Sequence, residues 1–119
     1  MKTDAFNAVI EEQLRYCKAL LVSKGAEYTP EYLDEVDGEF IVSQSDRLRH
    51  FKKAAVLMNM TPKAALLGML SKHLISVVDM CTDGNTYSVE RWTEKLTDSI
   101  NYLLILKAIV IEEQTDEKN

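Results

Sequence analysis

Apolar residues recur every three or four positions along most of this chain, and few turn-forming residues interrupt them. Its 119 residues include only 4 Gly and 2 Pro, too few for the many turns of a β-sandwich or β-barrel. Four segments carry the helical spacing, at about 4–23, 46–58, 62–81 and 88–113. Thr61-Pro62 is a typical helix start, since the hydroxyl can cap the helix and proline suits its first position. We therefore predict an all-α, four-helix bundle-like domain spanning residues 1–119.

The segments between the helices are predicted from the loss of periodicity. Residues 26–44 are rich in Asp and Glu and are predicted to form an acidic surface loop, with a short extended piece at 39–42 left open. The polar residues 114–119 are predicted to fray. Asp83-Gly84-Asn85 is predicted to be a turn, which makes the third and fourth helices an antiparallel hairpin. Because the fourth helix is apolar nearly all round over 100–111, we expect a homo-oligomer.

The charge balance and the cysteines limit the partners and the compartment. A net charge of -5, from 14 basic and 19 acidic residues, argues against binding to a nucleic acid strand. Cys17 and Cys81 lie among apolar residues, and no cysteine has zinc-ligand spacing, so we expect both thiols to be buried and reduced, in the cytoplasm. The most apolar stretch, 103–111, contains Lys107 and is too short to span a membrane, so no membrane partner is expected.

A line of polar residues on the fourth helix is the strongest candidate site. Glu90, Glu94, Asp98 and Asn101 follow one another at spacings of four, four and three, which places them on one helical face. Asp98 and Asn101 are predicted to be partly buried, where a carboxylate needs a partner. Across the predicted hairpin, Lys72 and His73 are both level with Asp98 to within about a turn.

Two interpretations of this line of residues stay open. Lys72 and Asp98 can form a structural ion pair across the hairpin. Alternatively, the acids of this line hold a divalent cation, with Lys72 placed for a phosphate group. His73, on the apolar stripe of the third helix, is read as a core histidine rather than a general base.

Two further motifs have both a functional and a structural interpretation. The start of the second helix, with Asp46, Arg47 and His50 among its lysines, can hold a small anion or balance the acidic loop. Residues 79–90 match the calcium-loop pattern, except that Cys81 stands where an oxygen ligand is expected.

Six short stretches point beyond a generic helical bundle. They are Glu27-Tyr28, Asp46-Arg47-Leu48, Phe51-Lys52-Lys53-Ala54-Ala55, Thr61-Pro62-Lys63-Ala64-Ala65-Leu66, Lys72-His73 and EKLTDSINYLL at 94–104. Together they resemble a family of small phage and prophage proteins. These stretches are similar to phage nucleotide-modification-associated helical domains and, more distantly, to MazG-like all-α nucleoside triphosphate pyrophosphohydrolases. The resemblance covers about residues 24–112.

This resemblance implies a function and roles for particular residues. Glu94 and Asp98 would hold Mg²⁺, Lys72 would contact a phosphate, and Asn101 would orient the ligand. The MazG-like pattern pairs an E-E-x-x-E helix with an E-x-x-D helix, whereas here Arg15 stands at the third acidic position and Glu94 and Asp98 are four apart.

The resemblance therefore predicts a protein of the host cell cytoplasm that binds a nucleotide or related phosphate ligand, and it leaves hydrolysis open. The alternative is a non-enzymatic homo-oligomer that binds or blocks a host or defence protein.

Overall fold

The computed structural model describes residues 1–28, 33–36, 39–42 and 46–118. Within these residues four helices form the body of the protein, as predicted. The elements, in chain order, are α1 (Thr3–Tyr28), β1 (Leu33–Val36), β2 (Glu39–Val42), α2 (Arg49–Leu57), α3 (Pro62–Thr82) and α4 (Val89–Lys118).

Three predicted boundaries need correction. Helix α1 continues through Gly25 to Tyr28, although glycine in a helix interior costs about 1 kcal/mol relative to alanine. Helix α4 continues to Lys118, through residues predicted to fray, because no glycine or proline follows Gly84 to stop it. In the predicted acidic loop, β1 and β2 pair antiparallel, so the extended alternative at 39–42 is the one observed. The rest of that loop lies outside the described residues.

Helices α3 and α4 form the predicted antiparallel hairpin. His73 lies opposite Asp98, and Lys63 lies opposite Glu113 with an Nζ–Oε1 distance of 3.0 Å. The Thr61 hydroxyl accepts a hydrogen bond from the Ala64 backbone N–H at 3.2 Å and so caps the start of α3. At the other end of α3, Gly84 has φ of +79°, a left-handed conformation that glycine adopts without strain.

Helices α1 and α2 attach to the α3–α4 hairpin at different places. Helix α2 packs Leu48 and Phe51 into an apolar cluster with residues of α3 and the second half of α4. The other members of that cluster are Leu66, Leu70 and Ile109, with Met69, Tyr102, Ile105 and Leu106 at its edge. Helix α1 meets α4 nearer its middle, where Cys17 is buried as predicted. The prediction that Cys81 is buried as well is wrong, since its side of α3 is exposed. The Arg47 guanidinium donates to the Leu21 carbonyl oxygen at 2.7 Å and joins the start of α2 to α1.

Helix α3 is more apolar than the sequence reading recognised. Among the described helices, it alone is long and apolar enough to cross a membrane by length and composition, a property that core helices of soluble proteins share. Only 22% of its most apolar stretch is buried. Much of this apolar helix is therefore left uncovered by the described residues of the chain.

Candidate functional site

A groove of about 590 Å³ lies between the C-terminal half of α1 and the first half of α4. It is lined by Glu12, Tyr16, Ala19, Leu20 and Ser23 of α1 and by Val89, Glu90, Thr93, Glu94, Thr97 and Asp98 of α4. We call this feature the acidic groove, since four of its lining residues are carboxylic acids. Its volume is within the range of small-molecule sites.

The predicted line of acids on α4 faces this groove. Glu90, Glu94 and Asp98 all line it, and Glu12 of α1 joins them from the other side. The prediction that these acids share a helical face is therefore confirmed. Their neighbour across the groove, however, is α1 rather than α3, because α1 meets α4 in its first half.

Few cations lie beside these carboxylates. The Arg91 guanidinium is 3.7 Å from a Glu94 oxygen, and both side chains are mostly in water. Asp98 has the imidazole of His73 3.8 Å away. Within the described part of the chain, Glu12 and Glu90 form no ion pair. An anionic ligand would therefore meet a groove of the same sign unless a cation entered with it.

Asp98 lies opposite α3 as predicted, but its partner there is His73 rather than Lys72. The His73 ring also stacks on Tyr102, with a centroid distance of 5.0 Å, and is half-buried between the two helices. Lys72 is exposed and makes no ion pair with a described residue. Neighbouring residues of a helix point about 100° apart, so turning His73 toward α4 turns Lys72 away from it.

Asn101 lies below the groove and holds α1 to α4. It is buried, and its side-chain amide donates to the Cys17 carbonyl oxygen at 3.2 Å. Its Oδ1 atom is buried without a hydrogen-bond partner among the described residues. One turn earlier, the Gln13 amide donates to the Thr97 hydroxyl at 2.6 Å. Asn101 is thus placed to join helices and does not line the groove.

Gln13 and Glu12 are the residues that sequence reasoning missed here. A polar Gln13 within the apolar stripe of Ile10 and Cys17 was the available signal for a buried polar contact. Glu12 could be found from sequence only as half of the Glu11-Glu12 pair. Nothing local indicates which of these two acids faces α4.

The other predicted anion-binding residues lie apart from the groove. The Asp46 carboxylate accepts from the Lys52 ammonium at 2.6 Å and from the Leu48 backbone N–H at 2.9 Å. The Lys52 hydrogen bond lowers the pKa of Asp46 below its ordinary value. His50 meets Phe51 edge to face at 5.7 Å between ring centroids. Together with the Arg47 bond to α1, these contacts organise the start of α2.

The predicted turn at 83–85 is confirmed, and the Asp83 carboxylate within it already accepts hydrogen bonds. The Asp83 carboxylate accepts from the Asn85 backbone N–H at 2.9 Å and from the Tyr87 hydroxyl. The hydrogen bond from Tyr87 lowers the pKa of Asp83, and the Asn85 bond adds to this effect. Glu90, the last position of the calcium-loop pattern, lines the acidic groove instead of turning toward this loop.

Among the described residues there is no group of three or more His, Cys, Asp or Glu side chains close enough to hold a metal ion. Comparison of the chain with models of known protein families, with curated proteins and with solved structures finds no match in any of the three. The resemblance drawn from the sequence therefore stays a prediction.

Proposed function

We propose that this protein binds a nucleotide or a related phosphate ligand, together with a divalent cation, in the acidic groove between α1 and α4. The observation that carries the proposal is that acids from two helices, Glu12 on one side and Glu90, Glu94 and Asp98 on the other, line one groove of ligand size. The proposed ligand position is therefore the α1 side of α4, whereas the sequence alone suggested a position between α3 and α4.

The cation is the link between these acids and a phosphate ligand. Carboxylates from facing helices are the oxygen ligands from which helical proteins build sites for Mg²⁺, which keeps several waters and bridges to substrate phosphates. Glu94 and Asp98 are the first candidates to hold it, with Glu12 and Glu90 lining the same groove. A bound divalent cation would supply charge neutralisation of the phosphates and, if the protein hydrolyses its ligand, activation of a water molecule.

The remaining lining residues suit an aromatic ligand attached to the phosphates. Tyr16 is about half exposed on the α1 wall, where its ring is free to stack on a nucleobase. Thr93 and Thr97 contribute hydroxyl groups to the α4 wall. The Thr93 hydroxyl donates to the Val89 carbonyl oxygen at 2.9 Å, and the buried Thr97 hydroxyl accepts from Gln13.

Thermal unfolding with Mg²⁺ and nucleoside triphosphates tests this proposal. A ligand at a hundred times its dissociation constant stabilises a protein by about 2.7 kcal/mol, which is readily measured. We expect stabilisation that needs both components, and we expect it to be lost in Glu94→Gln and Asp98→Asn. The matched control is Glu113→Gln, since Glu113 is also an acid of α4 but pairs with Lys63 away from the groove.

The proposal fails if millimolar nucleotides and Mg²⁺ leave the melting temperature unchanged. It also fails if Glu113→Gln removes the effect as fully as Glu94→Gln does. Release of pyrophosphate or phosphate during the same incubations would extend the proposal from binding to hydrolysis.

One observation favours the alternative function of a non-enzymatic interaction protein. Large apolar side chains are exposed on all four helices, among them Phe6 on α1, Leu57 on α2, Leu67 on α3 and Leu103 on α4. Such surfaces mark protein contacts when they are contiguous. Under this alternative, Asp98→Asn changes stability slightly and no ligand binding is lost, because none exists.

A further inference from the structure

The α3–α4 hairpin has two faces, and only one of them is covered by α1 and α2. On α3, Met69 and Ser71 flank Leu70 on opposite sides, because each is turned about 100° from it. Met69 packs against the cluster that contains Phe51 of α2, whereas Ser71 is exposed. The side of α3 that carries Ser71 therefore faces away from α2.

The same argument applies to α4. Asn101 and Leu103 flank Tyr102 on opposite sides, and Tyr102 faces α3 through its stacking on His73. Asn101 is buried against α1, whereas Leu103 is exposed. The exposed sides of α3 and α4 thus lie on the same face of the hairpin, opposite α1 and α2.

We call this surface the open face. It consists of Leu67, Ser71, Leu74 and Val78 on α3 and Trp92, Leu96, Leu103, Lys107 and Val110 on α4. The five leucine and valine side chains at 67, 74, 78, 96 and 103 are between 37% and 58% exposed. Five large apolar side chains at matching heights on two adjacent helices make one contiguous apolar surface.

Charged groups are nearly absent from the open face. On α3, Lys72 and Asp79 lie on the opposite side of the helix, and Lys63 lies at its edge, where it pairs with Glu113. Lys107 is the one charged residue on the α4 side. Its long aliphatic stem can lie along apolar surface while the ammonium group stays in water. A partner for this face must itself be apolar and poor in charge.

The open face has the area of a small dimer interface. From Trp92 to Val110 it runs about 27 Å along α4, and two helices side by side are about 20 Å wide. The face therefore offers on the order of 500 Å² on each copy. Specific interfaces begin at about 1,000 Å² over both partners, which two open faces together reach.

We infer that the open face is covered by the open face of a second copy of this chain, so that two α3–α4 hairpins stack into a four-helix core. A second copy supplies an apolar, charge-poor surface of the same length, and a two-fold axis brings identical patches together.

This inference is independent of the acidic groove. In the proposed dimer α1 and α2 lie on the outside, so both grooves stay open to solvent. Loss of dimerisation and loss of nucleotide binding are consequently separate outcomes, measured in separate experiments.

Sedimentation equilibrium of the full chain over micromolar concentrations tests the inference. We expect a mass of twice 13.5 kDa for the unmodified chain. Leu74→Glu and Leu103→Glu should raise the dimer dissociation constant at least 100-fold, because each places a charge in the contact. The control is Leu57→Glu, which adds the same charge at an exposed leucine of α2 away from the open face and should leave the dimer intact.

A second measurement uses the single tryptophan, Trp92, at the edge of the open face. Its emission should shift to longer wavelength when dilution separates the dimer, and Leu103→Glu should show that shift at every concentration. Circular dichroism establishes that both variants remain helical, as expected for substitutions at exposed positions.

Three results would overturn the inference. One is a monomer at all concentrations. Another is a dimer that survives both Leu74→Glu and Leu103→Glu, which would place the contact on other helices. The third is a monomer that instead sediments with phosphatidylcholine vesicles through α3, which would make the open face a membrane surface.

Discussion

Helices α1 and α2 cover the same face of the α3–α4 hairpin, but they attach by different chemistry. Helix α2 is held by apolar packing, with Phe51 against Tyr102 edge to face at 6.3 Å between ring centroids. Helix α1 is held by a buried cysteine and by two side-chain amides, Gln13 and Asn101, that bridge to the facing helix. Among the described residues, polar contacts therefore attach α1 to α4, whereas aromatic packing attaches α2 to the hairpin.

Because of this difference, the contacts that contribute most to stability lie apart from the candidate site. Apolar packing at α2 contributes stability in proportion to buried area. Polar contacts at α1 contribute less net free energy, about 1 kcal/mol for each hydrogen bond, but they are directional. They position α1 while leaving the acidic groove open beside them. Substitutions at the two attachments should consequently differ in size and in kind.

Phe51→Ala should produce the largest loss of stability. Truncating a buried phenylalanine removes its transfer free energy and leaves a cavity, which costs about 3 to 5 kcal/mol. Chemical denaturation followed by circular dichroism measures this. The control on the same helix is Val56→Ala, at an 84% exposed position, which should stay within about 0.5 kcal/mol of the unmodified chain. A loss of stability below about 1 kcal/mol for Phe51→Ala would show that α2 is not the more stable of the two attachments.

Asn101→Ala should rank second, at about 1 to 2 kcal/mol, since it removes the hydrogen bond to the Cys17 carbonyl oxygen. Its specific effect is to release α1. Cys17 is only 1% exposed, so its reaction with a thiol reagent reports how often α1 opens, once Cys81→Ser has removed the exposed thiol. About 1.4 kcal/mol lost at this attachment corresponds to a tenfold faster reaction.

Phe51→Ala serves as the comparison in this thiol experiment. If α1 opens by itself, Phe51→Ala leaves the rate of Cys17 modification unchanged in the absence of denaturant. If both variants accelerate the reaction equally, the two attachments open together and the contrast between them is lost.

Lys52→Met should cost about 1 kcal/mol near neutral pH, since Lys52 pairs with both Asp46 and Glu112 while more than a third of each side chain is exposed. The Lys52 hydrogen bond lowers the pKa of Asp46, so this stabilisation is present above the ordinary pKa of 3.8 and is lost as the pH falls through the lower folded value. Hydrogen bonds to Asp46 and Glu112 raise the pKa of Lys52 above 10.5, so the stabilisation also disappears in strong base.

Denaturation at several pH values checks the Lys52 prediction. The gap in stability between the unmodified chain and Lys52→Met should be constant between about pH 5 and pH 9 and should close below pH 3. A gap that persists at pH 2 would show that Lys52 acts through packing of its aliphatic stem rather than through its charge.

Asp98→Asn should have the smallest effect on stability, about 0.5 kcal/mol, because the His73–Asp98 contact is 3.8 Å long and about a third of each side chain is exposed. Its expected effect on Mg²⁺-dependent nucleotide binding is far larger. A loss of several kcal/mol on unfolding would instead make Asp98 a structural residue and would weaken the case for a ligand in the groove.

The sequence predicted local features well because their causes are local. Thr61-Pro62 marks the start of α3, and Gly84 marks the turn after it. The number of residues between that turn and Asp98 places Asp98 level with the part of α3 that carries Lys72 and His73. The register was correct to within a turn but not to a residue. Choosing between Lys72 and His73 requires the rotation of α3, which depends on packing against two other helices.

The contact between α1 and α4 could not be predicted, because its partners are far apart in sequence and no local pattern in either helix indicates the other. Cys17 was predicted to be buried, yet nothing indicated that Asn101 would meet its carbonyl group. The same reason explains why only one wall of the acidic groove could be predicted. Its α4 wall was predicted from the spacing of Glu94 and Asp98, while Glu12 on its α1 wall depends on how two distant helices meet.

The polar bonds that hold α1 join residues 84 positions apart in the chain. During synthesis, α1 therefore emerges first and must wait for the first half of α4 before its partner residues exist. Helices α2, α3 and α4 are consecutive and can assemble through short connections, which favours fast folding. The first helix to be made therefore forms its polar bonds to α4 only after Asn101 has left the ribosome.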